Sequence, residues 1–209
     1  MRYKKPNLLI ILLLVIIINP FICNEAIANN KIDPDILVSG YYEYIILDNK
    51  EIQIVKYNGS DSFVYAPSEI DGNTVTSIGN RAFYGCEDIV AIEMPKTIKS
   101  IGDFAFSKCK NLELIPLPSE LISIGESAFE ECDSLTAITI PEKLTSIGKR
   151  AFAICKDFTS ITFINSNISI GDDAFYDCNN LVATGEIDSY VYNYCKKNKI
   201  KFIDIDDCY

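Results

Sequence analysis

The chain has 209 residues, enough for one domain with a sizeable core, and 48% hydrophobic with 23% charged residues places it in the globular class. Its 19 Lys and Arg against 29 Asp and Glu lack the basic footprint that phosphate backbones demand, which excludes nucleic acid as a partner. There is no histidine, so the commonest general base and metal ligand is missing and a Ser or Cys nucleophile has no imidazole to take its proton.

Arg2, Lys4 and Lys5 precede an unbroken apolar run at residues 8–18, which Asn19-Pro20 ends before Ala26-Ile27-Ala28. A charged start, an eleven-residue apolar centre and a small-residue cleavage site make residues 1–28 an export signal. Eleven residues are too few to cross a bilayer, which needs about 20. Cleavage near Ala28 gives a secreted chain without a transmembrane helix. The alternative is a lipid anchor at Cys23, disfavoured because bulky Ile22 stands where a small residue normally precedes a lipidated cysteine. Cleavage removes three basic residues and one acidic one, leaving 16 against 28 and a net charge of −12, which keeps the chain soluble.

Residues 29–76 read as a linker and an N-terminal cap. Residues 41–47 and 51–57 alternate as the two strands of a hairpin across Asp48-Asn49-Lys50, and residues 68–76 lead into Ser77.

Ser77, Ser100, Ser123, Ser146 and Ser169 each open a 23-residue turn, S-I-G-x-x-A-F-x-x-C, with no insertion between them. Self-similarity at a fixed period of this length means a solenoid, here of five repeats over residues 77–184. After each cysteine comes L-x-x-I-x-φ, clearest at residues 135–140, where Ile138 and Ile140 alternate with Ala137 and Thr139 as on a half-buried strand. Copies of that strand pair as a parallel stack about 4.8 Å apart, with loops and turns forming the opposite, convex side. Phe83, Phe106, Phe129, Phe152 and Phe175 recur at one phase and form an internal column. The glycines mark a place where a side chain would obstruct the chain or where φ is positive, and Pro95, Pro118 and Pro141 end their strands.

These columns resemble the BspA-like leucine-rich repeat, turn by turn from residue 77 to about 184, and the flanks resemble that family's caps. The resemblance implies a leucine-rich repeat solenoid of bacterial surface or secreted type, whose members are often adhesins that contact host matrix or other cells.

The fifth turn departs from the pattern: Thr184 replaces the inward isoleucine, Gly185 follows, and no proline appears. Residues 185–209 then form a helix-strand cap. Asp188 or Ser189 caps a short helix bearing Val191, Tyr194 and Cys195, with Lys196 and Lys197 at its negative end, and residues 200–205 add a last strand. In the fourth turn Ile164 stands where proline is expected and Ile168 shifts the next apolar position.

Seven cysteines remain after cleavage, five in the repeat column. Stacked at one phase, their Cβ vectors point the same way, which is poor disulfide geometry, so they read as small buried hydrophobes. Zinc would need ligands converging on a point rather than a line. Cys195 and Cys208 stand outside the column and can pair with each other. Glu130-Glu131 and the tail acids Asp204, Asp206 and Asp207 read as solvated charge, since no calcium-loop pattern contains them.

With the repeated letters assigned to the core, recognition falls to the positions that vary. On the strand face these are Val90, Ala91 and Glu93; Glu113, Leu114 and Pro116; Thr136, Ala137 and Thr139; and Thr159, Ser160 and Thr162. The turn side offers Arg81, Tyr84, Phe104, Lys149, Arg150, Asp172, Asp173 and Tyr176, with Phe104 or Tyr84 as an anchor. The expectation is a monomeric, non-catalytic binding module without cofactor or metal, its ligand a protein or glycan of host matrix or another cell surface. A self-associating envelope or matrix component is the alternative. A carboxylate-dependent glycosidase ranks third, because it needs two carboxyl groups about 5–10 Å apart across a cleft.

The inside and outside so assigned make unequal demands on stability. In chemical denaturation, Phe129→Ala should lower stability by roughly 3–5 kcal/mol and Thr139→Ala by far less; equal losses would mean that the two faces are reversed.

Overall fold

A computed structural model describes residues 35–208. The export signal at residues 1–28 and Cys23 lie outside the described residues.

The chain opens as an antiparallel meander of β1 (Leu37–Ser39), β2 (Tyr42–Ile46) and β3 (Ile52–Tyr57), with a bulge between Glu43 and Tyr44. β4 (Phe63–Tyr65) follows, and β5 (Glu69–Ile70) then turns back on β6 (Asn73–Ile78) through Asp71 and Gly72. Both turn residues have positive φ, 49° and 81°, as a tight two-residue hairpin requires.

From β6 onward each turn contributes to two parallel ladders rather than the single one expected. The first joins the Ser-Ile pairs of β6, β8 (Ser100–Ile101), β9 (Ser123–Ile124), β11 (Ser146–Ile147) and β13 (Ser169–Ile170), serine to serine and isoleucine to isoleucine. β3 extends it, pairing in parallel with β6 so that Ile54 lies beside Ile78. The hairpin is therefore a rung of the solenoid as well as its lid. The second ladder is the strand face: β4 pairs with β7 (Ala91–Glu93), while β10 (Ala137–Ile140), β12 (Ser160–Phe163), β14 (Val182–Gly185) and β15 (Lys201–Asp204) form a continuous sheet. Between the two parts the second turn makes only a bridge, Ala91 to Leu114. Pro116 and Pro118 explain the gap, since neither has an N–H to give to a ladder.

The convex wall uses a third pattern. Arg81, Phe83 and Gly85 donate their N–H groups to the carbonyls of Asp103, Ala105 and Ser107 in the next turn, at 2.8–2.9 Å. The intervening Ala82, Tyr84 and Cys86 donate within their own turn. This alternation bends the chain at the residue before each alanine and before each cysteine, where φ lies between 50° and 69° in all five turns. Nine of these ten left-handed positions hold residues other than glycine, among them β-branched Ile154 at 60°.

The repeat glycines do not have positive φ; close approach selects them. A Cβ on Gly102 would lie 2.8 Å from the backbone carbon of Gly79, and one on Gly125 would lie 2.6 Å from that of Gly102. Each turn rests backbone on backbone here, and no L side chain fits between.

Inside, the phenylalanines stack with centroids 5.0 Å apart for Phe83–Phe106, 5.3 Å for Phe106–Phe129 and 5.1 Å for Phe129–Phe152, their planes within 16° of parallel. Stacking adds about 0.5–1.5 kcal/mol per pair to what burial contributes. Tyr57 of the hairpin covers one end at 5.2 Å, and Tyr194 closes the other edge-on against Phe175 at 6.1 Å.

The cysteines Cys109, Cys132, Cys155 and Cys178 are buried free thiols. Each donates its S–H to the carbonyl of the phenylalanine one turn back, Phe83, Phe106, Phe129 and Phe152 respectively, at 3.0–3.1 Å. The column therefore satisfies buried carbonyls as well as filling space. Cys195 and Cys208 do not pair: Cys195 is buried, whereas Cys208 is exposed and its thiol reaches the Asp204 carbonyl at 3.6 Å.

At the C-terminal end the side-chain order differs from expectation. Ala183, not Thr184, takes the inward isoleucine's place, pairing with Ile161, while Thr184 pairs with outward-facing Thr162. The fifth turn omits one residue between Leu181 and its strand, which moves every later side chain to the opposite face. Helix α1 (Tyr190–Lys197) follows, its N-cap Ser189 accepting from Tyr192 N–H at 3.1 Å, with Val191 and Cys195 buried. β15 and a 3-10 turn at Ile205–Cys208 are the last elements among the described residues.

This packing is open to two measurements. Gly125→Ala forces the third turn off the second and should cost roughly 1–3 kcal/mol or more by overpacking, readable as a lowered denaturation midpoint. Burial also raises the thiols above their ordinary 9.0, Cys178 to about 11 and Cys195 to about 12, and it raises Cys109, Cys132 and Cys155 as well. The protonated thiol is thus the folded form, so stability that is complete below pH 9 declines as the pH rises from there through the folded values. Under reducing conditions the midpoint should fall as the pH rises above about 9; replacing Cys109, Cys132, Cys155 and Cys178 by alanine should flatten that decline.

Candidate binding surface

Along the strand ladder two columns of side chains face outward. The first runs Phe63, Ala91, Leu114, Ala137, Ser160, Val182 and Lys201; the second runs Tyr65, Glu93, Pro116, Thr139, Thr162 and Thr184. Beneath them Val64, Ile92, Ile115, Ile138, Ile161 and Ala183 are buried in the core. All twelve variable positions on this side lie on the strands or at their entries. Glu93, Glu113, Leu114, Pro116, Thr136, Ala137, Thr139, Thr159 and Ser160 are exposed, while Val90, Ala91 and Thr162 are half-buried.

Phe63 and Tyr65 lie outside the aligned repeat columns and Ile164 departs from its column; they are 66%, 73% and 58% exposed. Phe63 and Tyr65 belong to β4, which pairs with β7 at a distance of 28 residues rather than 23, so periodicity does not reveal them. The alternation Phe63-Val64-Tyr65-Ala66 was the available signal, with Val64 and Ala66 buried between two exposed aromatics. Ile164 stands exposed where other turns have a strand-ending proline.

These residues surround the gap in the ladder. Phe63, Tyr65, Glu93, Leu114 and Pro116 line a hollow of about 390 Å³, and Leu114, Pro116, Thr139 and Ile164 line an adjoining one of about 420 Å³. Leu114, 62% exposed, is common to both. The interrupted second turn thus leaves a continuous apolar groove across the N-terminal half of the face, with Glu93 and Glu113 at its edge. Beyond it the face becomes small and hydroxylated, through Thr139, Ser160, Thr162 and Thr184.

The turn side is more fully engaged with itself. Phe104 is half-buried and, with Tyr84, holds the Arg81 guanidinium at 5.2 and 5.6 Å from the ring centres. Arg150 lies over Tyr176 at 5.3 Å and bonds Glu130 at 2.6 Å, while Glu131 faces Lys108 at 3.9 Å. Glu130 and Glu131 are therefore ion-pair partners between turns, and the aromatic candidates of this side are already covered by cations. Lys149, Asp172 and Asp173 are exposed. Among the described residues no cluster of His, Cys, Asp or Glu is arranged to hold a metal ion, and no helix is long and apolar enough to cross a membrane.

The model of the BspA type leucine rich repeat region matches residues 66–182 in six copies. The match starts ahead of the first S-I-G and so takes in β5 and β6. No curated protein sequence matches the chain. Among solved structures, a leucine-rich repeat protein of T. pallidum is 32% identical over 71% of this chain and 70% of its own length, with a TM-score of 0.68. A leucine-rich repeat protein from Bacteroides ovatus is 33% identical over 70% of this chain, with a TM-score of 0.63, although the chain spans only 40% of that protein. One from Bacteroides capillosus is 26% identical over 62% of this chain and 98% of its own length, with a TM-score of 0.56. The two stacked ladders, the fixed 23-residue turn and these matches place the chain in the BspA type leucine-rich repeat family.

Proposed function

We propose that the chain is an exported, non-catalytic module that binds another protein, in the manner of an adhesin, through the N-terminal half of its strand face. The observation that carries this is the apolar groove at the ladder gap. Four large apolar side chains, Phe63, Tyr65, Leu114 and Ile164, stand more than half exposed beside two prolines on a surface built of short polar residues elsewhere. Aromatic and aliphatic anchors of this kind dominate protein interfaces when a partner desolvates them. Folding does not account for their exposure, since the core beneath is complete without them. Export rests on residues 1–28, and release near Ala28 is preferred to a lipid anchor at Cys23.

The enzyme alternative has less support. Glu93 and Glu113 lie on an open face rather than on opposing walls of a cleft, the arrangement that a two-carboxylate glycosidase uses. Self-association is weakened by the distinct ends, a hairpin on one side and α1 with β15 on the other.

The test is a panel of purified matrix proteins and surface glycans on sensor surfaces, with the exported chain in solution. Binding to a protein of the panel is expected, and Phe63→Ala with Tyr65→Ala and Leu114→Ala should weaken it about tenfold or more. The melting temperature should change little, because these side chains are exposed. Retention of full affinity by the triple variant, or binding confined to glycans, would remove the groove as the site.

A further inference from the structure

The C-terminal end of the solenoid carries two features that neither the core nor the apolar groove uses. The first is a set of lysines. Lys196, Lys197, Lys199 and Lys201 fall within six residues that contain no acid, in a chain whose net charge is −10. Elsewhere the basic side chains are largely tied to acids of neighbouring turns, as in Lys110–Glu87, Lys143–Glu120 and Lys156–Asp133 at 2.6–2.9 Å. None of the four C-terminal lysines is in an ion pair among the described residues. Lys196 and Lys197 complement the negative end of α1. Lys199 and Lys201 lie beyond the helix, and that explanation does not reach them.

The second feature is a row of backbone donors. In each of the first four turns the residue before alanine, the phenylalanine and the residue before cysteine donate their N–H groups to carbonyls of the following turn; in the fourth, Arg150, Phe152 and Ile154 donate to Asp172, Ala174 and Tyr176 at 2.7–3.1 Å. The fifth turn has no successor on this wall. Its equivalent groups, the N–H of Asp173, Phe175 and Asp177, make no hydrogen bond among the described residues. Tyr194 covers the ring of Phe175 but brings no row of carbonyls. The three residues line a cavity of about 570 Å³ that Lys199 and Lys201 also line.

We propose that this cavity is a second binding site, apart from the apolar groove, and that it takes an extended acidic polypeptide segment. Carbonyls on one side of an extended chain recur every second residue, the sequence spacing of the three donors, and in the first four turns the equivalent donors are met by peptide carbonyls at alternate residues. The segment's carboxylates lie toward Lys199 and Lys201, where charge complementarity sets orientation and encounter rate. Asp173 and Asp177 also line the cavity and disfavour carboxylates beside the donors themselves.

The experiment is an amide NMR titration of the exported chain with a blocked peptide of alternating glutamate and valine. The amides of Asp173, Phe175 and Asp177 should shift and exchange more slowly, while those of Phe63 and Tyr65 stay unmoved. K199E with K201E should weaken binding about tenfold or more, and K199R with K201R should keep it within about twofold. These exposed side chains can be changed without loss of fold, which the unchanged remainder of the spectrum verifies. The proposal is overturned if the peptide leaves the three amides untouched, or if inorganic phosphate or phosphatidylglycerol vesicles at equal charge protect them equally. Protection that grows with protein concentration in the absence of peptide would instead identify a second copy of the chain as the occupant, and would also overturn it.

Discussion

Every turn of this protein must rest on the one before it at the spacing of a hydrogen-bonded ladder, about 4.8 Å, and the glycine column is where that spacing allows no side chain. Gly102 lies against Gly79, and Gly125 against Gly102, so closely that an added Cβ would enter the neighbour's backbone. The rest of the turn is arranged around this contact. The Ser-Ile ladder runs directly into it, and the alternating bonds of the convex wall leave directly from it. With the backbones at that separation, the phenylalanine rings settle 5.0–5.3 Å apart and nearly parallel, a stack that satisfies packing and ladder together. The same rise brings each cysteine thiol under the carbonyl of a phenylalanine one turn back, which explains a thiol column in a chain that forms no ladder of disulfides.

A stack of identical turns has two ends, and here they are closed by different means. The hairpin enters the ladder itself: Ile54 beside Ile78 continues the rungs, Tyr57 continues the aromatic column, and the Tyr57 N–H is given to Ala82 O. That end is therefore closed in both packing and hydrogen bonding. The C-terminal end is closed in packing by Tyr194, Val191 and Cys195, and on the strand face by β15. Its convex wall still presents donors without acceptors among the described residues. The asymmetry arises because a helix, having spent its carbonyls internally, cannot serve as the next rung.

Recognition and stability are assigned to different residues of the same turn. Inward positions change little from turn to turn, because each must match the one above and below. Outward positions face only solvent or a partner and vary freely, from Phe63 and Tyr65 to the threonines of the later strands. Prolines in the second turn remove the N–H groups that would continue the sheet, and so place the groove at Leu114 rather than elsewhere along the face. Ion pairs between successive turns, such as Lys143–Glu120 and Lys156–Asp133, neutralise much of the positive charge on the sides. The acidic excess and the C-terminal lysines remain unneutralised.

From its sequence alone the chain's architecture was legible because one local rule is written five times: Ile, Gly, Ala, Phe and Cys at fixed phase can all be satisfied only by stacking. The flanking hairpin and the helix capped by Ser189 were legible for a similar reason, since alternation and capping are contacts between near neighbours. The strand-face positions followed from the same alternation. What the period could not carry was decided by tertiary structure. Phe63 and Tyr65 join the face across 28 residues, and Ala183 displaces Thr184 inward through a single omitted residue. The glycines serve close approach rather than positive φ, which only the neighbouring turn determines. The gap at Pro116 and the open donors of the fifth turn are properties of what lies alongside, not of the residues themselves. A repeating sequence states how one turn fits the next; where turns are missing, shortened or interrupted, the surface depends on neighbours distant in the chain.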